Sequence, residues 1–387
     1  MERLKKVKTD YFEDKNYLIL YSFNFLYNFA SSIVTFFTGA FFYSLGMPLH
    51  FILLFFGLEF GLRGILSPLG PSLATKLGVT KAIILANIAY VLYFVFIGLS
   101  EVSLALGFSA FIFHSFARGL QLPIVEGLQS KLINNHNRGK QQSLMLILKS
   151  TAGLVGIAFG SYVLDSLSYN VIVISVSIAL FLSTIPFLFL KDFSFGENYN
   201  YKDSYKYLVG DEFRDNLLPL SGFALTIIAH ISFIPLFIYS RVQDFSSFGI
   251  IMFIIFFAKA LFLFLFGRLV DKKGSEKVNK STGLLNQIGN LSLMIFIANP
   301  FSLTLANIYT QITRDLFFSS SQVRQYNKAK KLSFLFMTGV QMILCFVEII
   351  ALSLFALLAF FIGDNIFYII FLSSILGSYL FSYFFKD

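Results

Sequence analysis

Apolar residues fill most of this chain in runs of about 20, the length that crosses a bilayer as a helix, and short polar stretches separate the runs. The first run is long enough to tilt or break. The pattern predicts an all-α integral membrane protein with twelve transmembrane helices, numbered 1 to 12, over residues 17–46, 50–69, 81–100, 102–127, 141–165, 169–190, 217–240, 245–267, 279–298, 300–322, 333–362 and 365–385.

The longest polar stretch, residues 191–216, follows predicted helix 6 and divides the helices into two sets of six. We interpret it as a cytoplasmic linker, part of which is expected to form a surface helix. The predicted organisation is therefore a cytoplasmic N-terminal segment, a six-helix bundle, the linker and a second six-helix bundle, over 1–16, 17–190, 191–216 and 217–387.

Composition excludes a soluble or disordered chain. Of the 387 residues 56% are hydrophobic and 13% are charged, with a mean hydropathy of +0.74, whereas a soluble domain carries about 25% charged residues. The single cysteine, Cys345, lies in an apolar run, which excludes disulfides and cysteine-based metal sites. No metal and no other cofactor is predicted.

The basic residues predict the orientation in the membrane. Of the 30 Lys and Arg, 24 fall on the side that holds the termini and the even-to-odd loops, five fall inside the runs, and only Arg241 falls on the opposite side. Because cytoplasmic loops are rich in Lys and Arg, both termini are predicted to be cytoplasmic, in the cytoplasmic (inner) membrane. The net charge of +9 is then explained by loops that face anionic lipid headgroups, not nucleic acid.

The two halves repeat a short motif at corresponding loops. Residues 267–274, after helix 8, read Gly-Arg-Leu-Val-Asp-Lys-Lys-Gly, and residues 71–78, after helix 2, read Pro-Ser-Leu-Ala-Thr-Lys-Leu-Gly. Both are expected to make a tight reversal between antiparallel helices. Since corresponding loops share one face, the repeat is parallel, about an axis along the membrane normal.

On these motifs the chain resembles the major facilitator superfamily, whose loop between helices 2 and 3 is often echoed between helices 8 and 9. The second copy matches fully; in the first, Pro71 and Thr75 replace a Gly and an Asp. The resemblance implies two bundles that alternate access to a central cavity, peripheral helices 3, 6, 9 and 12, and a cytoplasmic gate. The gate residues it implies are Leu73, Lys76, Gly78, Gly267, Asp271, Lys272 and Gly274.

Ionisable residues inside the predicted helices are the candidates for solute or ion binding. Each costs about 2.5–3.5 kcal/mol on insertion scales, and such residues usually face the protein interior or a water-filled cavity. Helices 3, 6, 9 and 12 carry none well within their spans. With mid-helix amides and histidines, the candidates are Asn24, Asn28, Glu59, Arg63, His114, Arg118, Lys149, His230, Lys259, Arg314, Asp315 and Glu348.

Their spacing predicts some pairings and leaves others open. Glu59 and Arg63 are four apart on one helix face and either pair with each other or contact the solute. Arg118, Lys149 and Lys259 have no acidic residue at helical spacing, so each needs another helix, the solute or an ion.

Further expectations concern individual residues. Glu348 is expected to pair with a basic residue such as Lys259. Arg314 and Asp315 are adjacent, about 100° apart around a helix, and are expected to face different directions. The histidines are expected to be neutral and hydrogen-bonded, with a role in proton transfer as the alternative. Asn24 and Asn28 present amides to the cavity or stabilise packing. The helix 2 and helix 5 glycines are expected to permit close helix packing.

These observations favour a secondary transporter that works by alternating access. The ionised charges inside the predicted helices sum to +2, which favours a polar or anionic small molecule, with coupling to protons left open. No catalytic motif and no phosphate-binding loop is found, so no enzyme activity is predicted. The alternatives are a proton-driven drug or lipid efflux protein, an intramembrane lipid-modifying enzyme, or a solute receptor that does not transport. Lipid is the expected surrounding, and a monomer the expected state.

Overall fold

The computed structural model describes residues 15–33, 37–133, 138–166, 169–190, 199–296, 300–329 and 332–386, and every regular element in these ranges is helical. We number the helices α1 to α12 after the twelve predicted segments. Helices of the first half are α1 (Lys15–Ser32 and Thr38–Ser44), α2 (Leu49–Leu66 and Leu69–Leu77), α3 (Val79–Gly98), α4 (Leu104–Leu132), α5 (Arg138–Ser166) and α6 (Tyr169–Thr184). Helices of the second half are α7 (Leu217–Ile228 and Ile234–Val242), α8 (Phe245–Lys273), α9 (Ser275–Ile295), α10 (Pro300–Lys328), α11 (Ser333–Ile362) and α12 (Ile366–Phe384).

Length and apolarity mark six stretches of the described residues as able to cross a membrane, fewer than the twelve predicted. One of the six contains both α11 and α12. Several other helices are interrupted or rich in buried polar side chains, as α10 is, which lowers their apolarity. The all-helical class is confirmed, and twelve crossings stay a prediction. The six are Leu49–Leu66, Val79–Glu101, Arg138–Val163, Tyr169–Phe189, Phe245–Leu263 and Ser333–Phe384.

The two repeated motifs are helical up to the residue before their final glycine, not loops as the sequence suggested. The first lies in the second piece of α2, and the second forms the last turns of α8. The chain reverses at Gly78 and Gly274 alone, where φ is +89° and +83°. Only glycine adopts such values without strain, so these two positions of the repeat carry the reversal.

Helix pairing in the second half follows that of the first. The contacts α1–α5, α2–α4, α3–α4 and α3–α6 have counterparts in α7–α11, α8–α10, α9–α10 and α9–α12. Two further pairs, α2–α11 and α5–α8, join one half to the other and are also equivalent to each other. The packing therefore has the same period of six helices as the sequence repeat.

Glycines at two helix crossings allow the backbones to approach closely, as predicted. A Cβ atom at Gly64 of α2 would lie 2.9 Å from the Cβ of Cys345 on α11. A Cβ atom at Gly156 of α5 would lie 2.6 Å from the Phe29 carbonyl oxygen on α1. Small residues are used in this way where helices pack in membranes.

The linker forms two short helices, Tyr201–Val209 and Asp211–Arg214, while residues 191–198 lie outside the described ranges. Tyr205 donates a hydrogen bond to the Ile65 carbonyl oxygen of α2 (2.9 Å), and Phe213 is buried against Gly339 of α11. The linker thus contacts both halves, and its predicted surface helix is present.

Candidate functional site

A central cavity lies between the first six and the last six helices. It has two adjoining lobes of about 190 Å³ and about 270 Å³. Both halves of the chain contribute to the wall between the lobes, so the cavity depends on how the halves meet. The residues that line both lobes are Asn28, Ser31, Arg118, Leu122, Glu126, Ile227, Phe318 and Gln322.

The smaller lobe contains what we call the acidic cluster: Glu59, Arg63, His114 and Glu348. Arg63 lies between the two carboxylates, with its guanidinium 3.5 Å from Glu59 Oε1 and 3.0 Å from Glu348 Oε2. It also donates from Nε to Cys345 Sγ (3.2 Å). All four side chains are at least nine-tenths buried. Two carboxylates share one guanidinium, so the cluster is net negative when both carboxylates are ionised and His114 is neutral.

His114 contacts the acidic cluster from α4, with Nδ1 3.1 Å from Glu59 Oε2. Its ring stacks on Tyr93 and Tyr90 of α3, at centroid distances of 4.3 and 5.1 Å. Both tyrosines line the smaller lobe. Tyr90 and Tyr93 therefore reach the cavity from α3, a helix expected to be peripheral, because an aromatic ring on one face of such a helix is long enough to do so.

The larger lobe contains the basic cluster: Lys149, Lys259, Arg314 and Asp315. Lys259 Nζ lies 2.9 Å from Asp315 Oδ2, and Arg314 donates from Nε to Asp315 Oδ1 (2.6 Å). Lys259 and Arg314 contact this carboxylate and Lys149 lines the same lobe, so the cluster, with three cations and one carboxylate, is net positive.

Two expectations from the sequence need correction. Glu348 pairs with a basic residue, as expected, but with Arg63 and not with Lys259, because α11 packs on α2 while α8 packs on α10. Arg314 and Asp315 do not diverge, since the long guanidinium folds back onto the adjacent carboxylate and both line the cavity. The Glu59–Arg63 pairing predicted from spacing is present.

Arg118 and Lys149 differ from the other cavity cations. Arg118 donates to the Tyr27 hydroxyl (2.7 Å), a neutral group, and Lys149 has no hydrogen bond or ion pair within the described part of the chain. Both are half-buried and line the cavity. Glu126, the acid that attracts Lys149, accepts a hydrogen bond from Gln341 (2.6 Å). Arg118 and Lys149 therefore keep positive charge toward the cavity.

The remaining candidates lie near these groups. The Asn24 and Asn28 amides donate to carbonyl oxygens one turn earlier in α1, of Leu20 (2.8 Å) and Asn24 (2.7 Å), and Asn28 lines both lobes. His230 lies in a π-helical turn, Ala229–Phe233, that interrupts α7, and it lines the larger lobe. The basic cluster lines the same lobe.

Contacts between the halves occur at both ends of the cavity. At the predicted cytoplasmic end, Tyr326 donates to Gln129 Oε1 (2.8 Å) and Arg138 donates to Asn327. At the other end the His50 and Phe360 rings lie 5.4 Å apart. Lys76 is exposed near the first end, and the surroundings of Gly267, Leu269 and Asp271 lie outside the described residues.

Several cavity residues were missed from the sequence. Gln322, Gln325 and Gln341 line the smaller lobe, as do Tyr90 and Tyr93. Neutral polar side chains in membrane helices are common, and only the i, i+3 spacing of the two tyrosines signalled a shared face. Arg324, counted as a loop residue, lies buried in α10 and donates to the Ser382 (3.4 Å) and Phe385 carbonyl oxygens at the end of α12.

Comparisons with known proteins agree with this architecture. One solved structure, a Major Facilitator Superfamily transporter, FucP, in the outward conformation, is 14% identical to this chain, with a TM-score of 0.66 over 96% of this chain and 98% of that one. A variant of the Escherichia coli fucose:proton symporter FucP is 15% identical, with a TM-score of 0.64 over the same shares. No curated protein sequence matches. The sequence profile of the Major Facilitator Superfamily matches residues 20–311, and the chain therefore belongs to this family of membrane transporters.

Proposed function

We propose that this protein is a secondary transporter that moves a small polar or anionic solute across the cytoplasmic membrane by alternating access. The observation that carries the proposal is the central cavity, walled by both halves and lined by two cations, Arg118 and Lys149, that form no ion pair with the described residues. Cations are costly to keep in a membrane interior without a partner. An anionic group of the solute would compensate them.

The helix packing supports two six-helix bundles, 17–190 and 217–387, related by a parallel pseudo-two-fold axis. Equivalent pairs join the halves, α2–α11 and α5–α8, so a rocking motion about them would open one end while the other closes. The contacts at both ends of the cavity, Gln129–Tyr326 and His50–Phe360, are the ones that such a motion would break in turn.

The proposed topology has twelve spans with both termini in the cytoplasm, on the evidence of the basic loops. Lys76, in the last turn of α2, and Glu101, three residues after α3, are exposed residues that flank α3 on opposite sides. In intact cells a membrane-impermeant thiol reagent should label Glu101→Cys and not Lys76→Cys. Labelling of Lys76→Cys alone would mean that the orientation is the reverse of the proposed one. The wild type is the control because Cys345 is buried.

Coupling to protons is the finer part of the proposal. The contact between His114 and Glu59 places two groups that can exchange a proton beside the cavity. The structurally similar FucP is a fucose:proton symporter, which supports the same energy source here. The substrate is argued from this chain's own cavity, because the likeness at 15% identity concerns the fold.

Uptake into proteoliposomes tests the function directly. A panel of sugars, carboxylates, amino acids and cationic drugs is offered with and without an imposed pH gradient. We expect saturable uptake of a polar or anionic solute, at least tenfold weaker in Arg118→Gln and unchanged in Lys280→Gln, which removes an exposed cation. Uptake of cationic drugs alone would favour efflux of drugs instead.

The repeated motif is proposed to stabilise the closed cytoplasmic end. The second copy is complete at Asp271, Lys272 and Gly274, whereas the first has Thr75 in the acidic position. Asp271→Asn should therefore slow uptake severalfold without loss of membrane insertion, while Thr75→Asn should have little effect. Equal rates in Asp271→Asn and the wild type would remove this role.

A further inference from the structure

The two lobes of the cavity carry opposite charge. The acidic cluster has two carboxylates and one guanidinium, and the basic cluster has three cations and one carboxylate. Arg118 and Glu126, which line both lobes, are of opposite sign. The cavity is therefore polarised from one side to the other, and a solute of a single sign would fit only one of its lobes.

The acidic lobe has the features of a cation site. Glu59 Oε1 is buried and has no hydrogen-bond partner, with the Arg63 guanidinium 3.5 Å away. The same lobe is walled by aromatic side chains, Phe56, Phe60, Tyr90 and Tyr93. Carboxylates combined with aromatic faces are the groups that proteins use to bind an ammonium.

The opposite side has the features of an anion site. Among the described residues Lys149 makes no hydrogen bond or ion pair, Arg118 donates to a hydroxyl, and Arg314 shares Asp315 with Lys259. A carboxylate or phosphate placed there would form charge-assisted hydrogen bonds with these donors. Serines and amides at the shared wall, such as Ser31 and Gln322, supply polar contacts between the two sites.

From this polarity we infer that the solute is a small zwitterion. Its cationic group lies in the acidic lobe beside Glu59 and Glu348, and its anionic group contacts Arg118 and Lys149. The inference rests on the transport function proposed above and narrows its substrate class. The cationic group thus contacts both halves, since Glu59 belongs to α2 and Glu348 to α11, while the anionic group contacts α4 and α5 of the first half.

The test uses the purified full-length chain and probes that differ in charge alone. Apparent Kd values are measured by thermal-shift titration for 4-aminobutyrate, butyrate and butylamine. Glycine, β-alanine and 6-aminohexanoate vary the distance between the charges, glycine betaine varies the ammonium, and the other common amino acids vary the side chain. We expect at least one zwitterion to bind tenfold or more tightly than its analogue without the amino group.

Two variants then separate the ends of the solute. Arg118→Gln should raise the apparent Kd of the zwitterion and of the matched anion alike, each by at least tenfold. Glu348→Gln should raise the apparent Kd of the zwitterion by at least tenfold and leave that of the matched anion unchanged. Glu348→Gln leaves Arg63 with Glu59 as its counter-ion, so the protein should still fold. Glu348→Asp, which keeps the charge, should restore zwitterion binding, and Glu276→Gln at an exposed pair is the control.

The outcomes distinguish this inference from the transport function. Three results would overturn it. No zwitterion of the panel binds saturably, or the matched anion binds as tightly as the zwitterion, or Glu348→Gln weakens the binding of both probes equally. If an anion or a neutral solute is taken up by proteoliposomes while zwitterions are not, transport stands and the zwitterion inference fails. If a zwitterion binds as described but no solute is taken up, the inference stands and the transport function fails.

Discussion

The acidic and basic clusters both keep several like charges inside the protein, but with opposite signs. In each, one residue of the minority charge holds several residues of the other sign: Arg63 between Glu59 and Glu348, and Asp315 between Lys259 and Arg314. The acidic cluster is almost closed off from solvent, while the Arg314 side chain is 18% exposed. The comparison shows that Arg63 and Asp315 each pair with two residues of the opposite charge, and we propose that the surplus charges around them are available to a solute.

Arg63 should be the most sensitive position in the cavity. Arg63→Gln leaves two buried carboxylates beside each other with no cation, and loss of one partner from a buried ion pair costs about 3–5 kcal/mol. We expect a large drop in the thermal unfolding midpoint in detergent and poor yield from membranes. Arg241→Gln, which removes an exposed arginine, is the control.

A second substitution shows whether repulsion causes that loss. Glu348→Gln added to Arg63→Gln removes one of the two carboxylates and should recover part of the stability. An Arg63→Gln protein as stable as the wild type would mean that the acidic cluster is not maintained by its arginine.

Asp315 should be the next most sensitive. Asp315→Asn leaves Lys259 and Arg314 without their shared carboxylate, but water in the larger lobe can solvate Arg314, so we expect a smaller loss, of about 2 kcal/mol. Lys259→Met is the matched comparison, because Asp315 then still pairs with Arg314. Thermal unfolding of both variants checks the order, and a greater loss in Lys259→Met would contradict it.

Tyr27→Phe should have the smallest effect. It removes the hydroxyl that accepts the Arg118 hydrogen bond and leaves the ring in place. A hydrogen bond to a charged group contributes at least about 1.5 kcal/mol, and a water molecule in the cavity would replace part of this contribution. We expect solute affinity to change by about threefold, measured by the same titration as for Arg118→Gln. Tyr162→Phe, at an exposed tyrosine, should change nothing.

The sequence predicted what depends on local spacing and missed what depends on distant contacts. The Glu59–Arg63 pair, the helix order and the close approach at Gly64 and Gly156 follow from positions three or four apart or from apolar runs. The pairing of Glu348 with Arg63 joins residues 285 apart. No spacing rule encodes such a pair, because it depends on which helices pack together.

Dependence on distant contacts also explains why the two charge clusters were not predicted. The number of charged residues in the helices was visible in the sequence, but the division of those charges into two clusters of opposite sign was not. Arg314 and Asp315 show a second limit: a rule based on the direction of Cβ fails for a side chain long enough to fold back. Their contribution to the solute site stays a proposal.

The central claim is that solute passes through this cavity by alternate opening of its two ends. Reversible cross-linking tests it most directly, in a Cys345→Ser background, with cysteine pairs replacing Gln129 and Tyr326 at one end or His50 and Phe360 at the other. A short bifunctional thiosulfonate should abolish uptake into proteoliposomes in either double variant, and reductant should restore it, because each end must open once per cycle. Full uptake with either end cross-linked would contradict alternating access through this cavity.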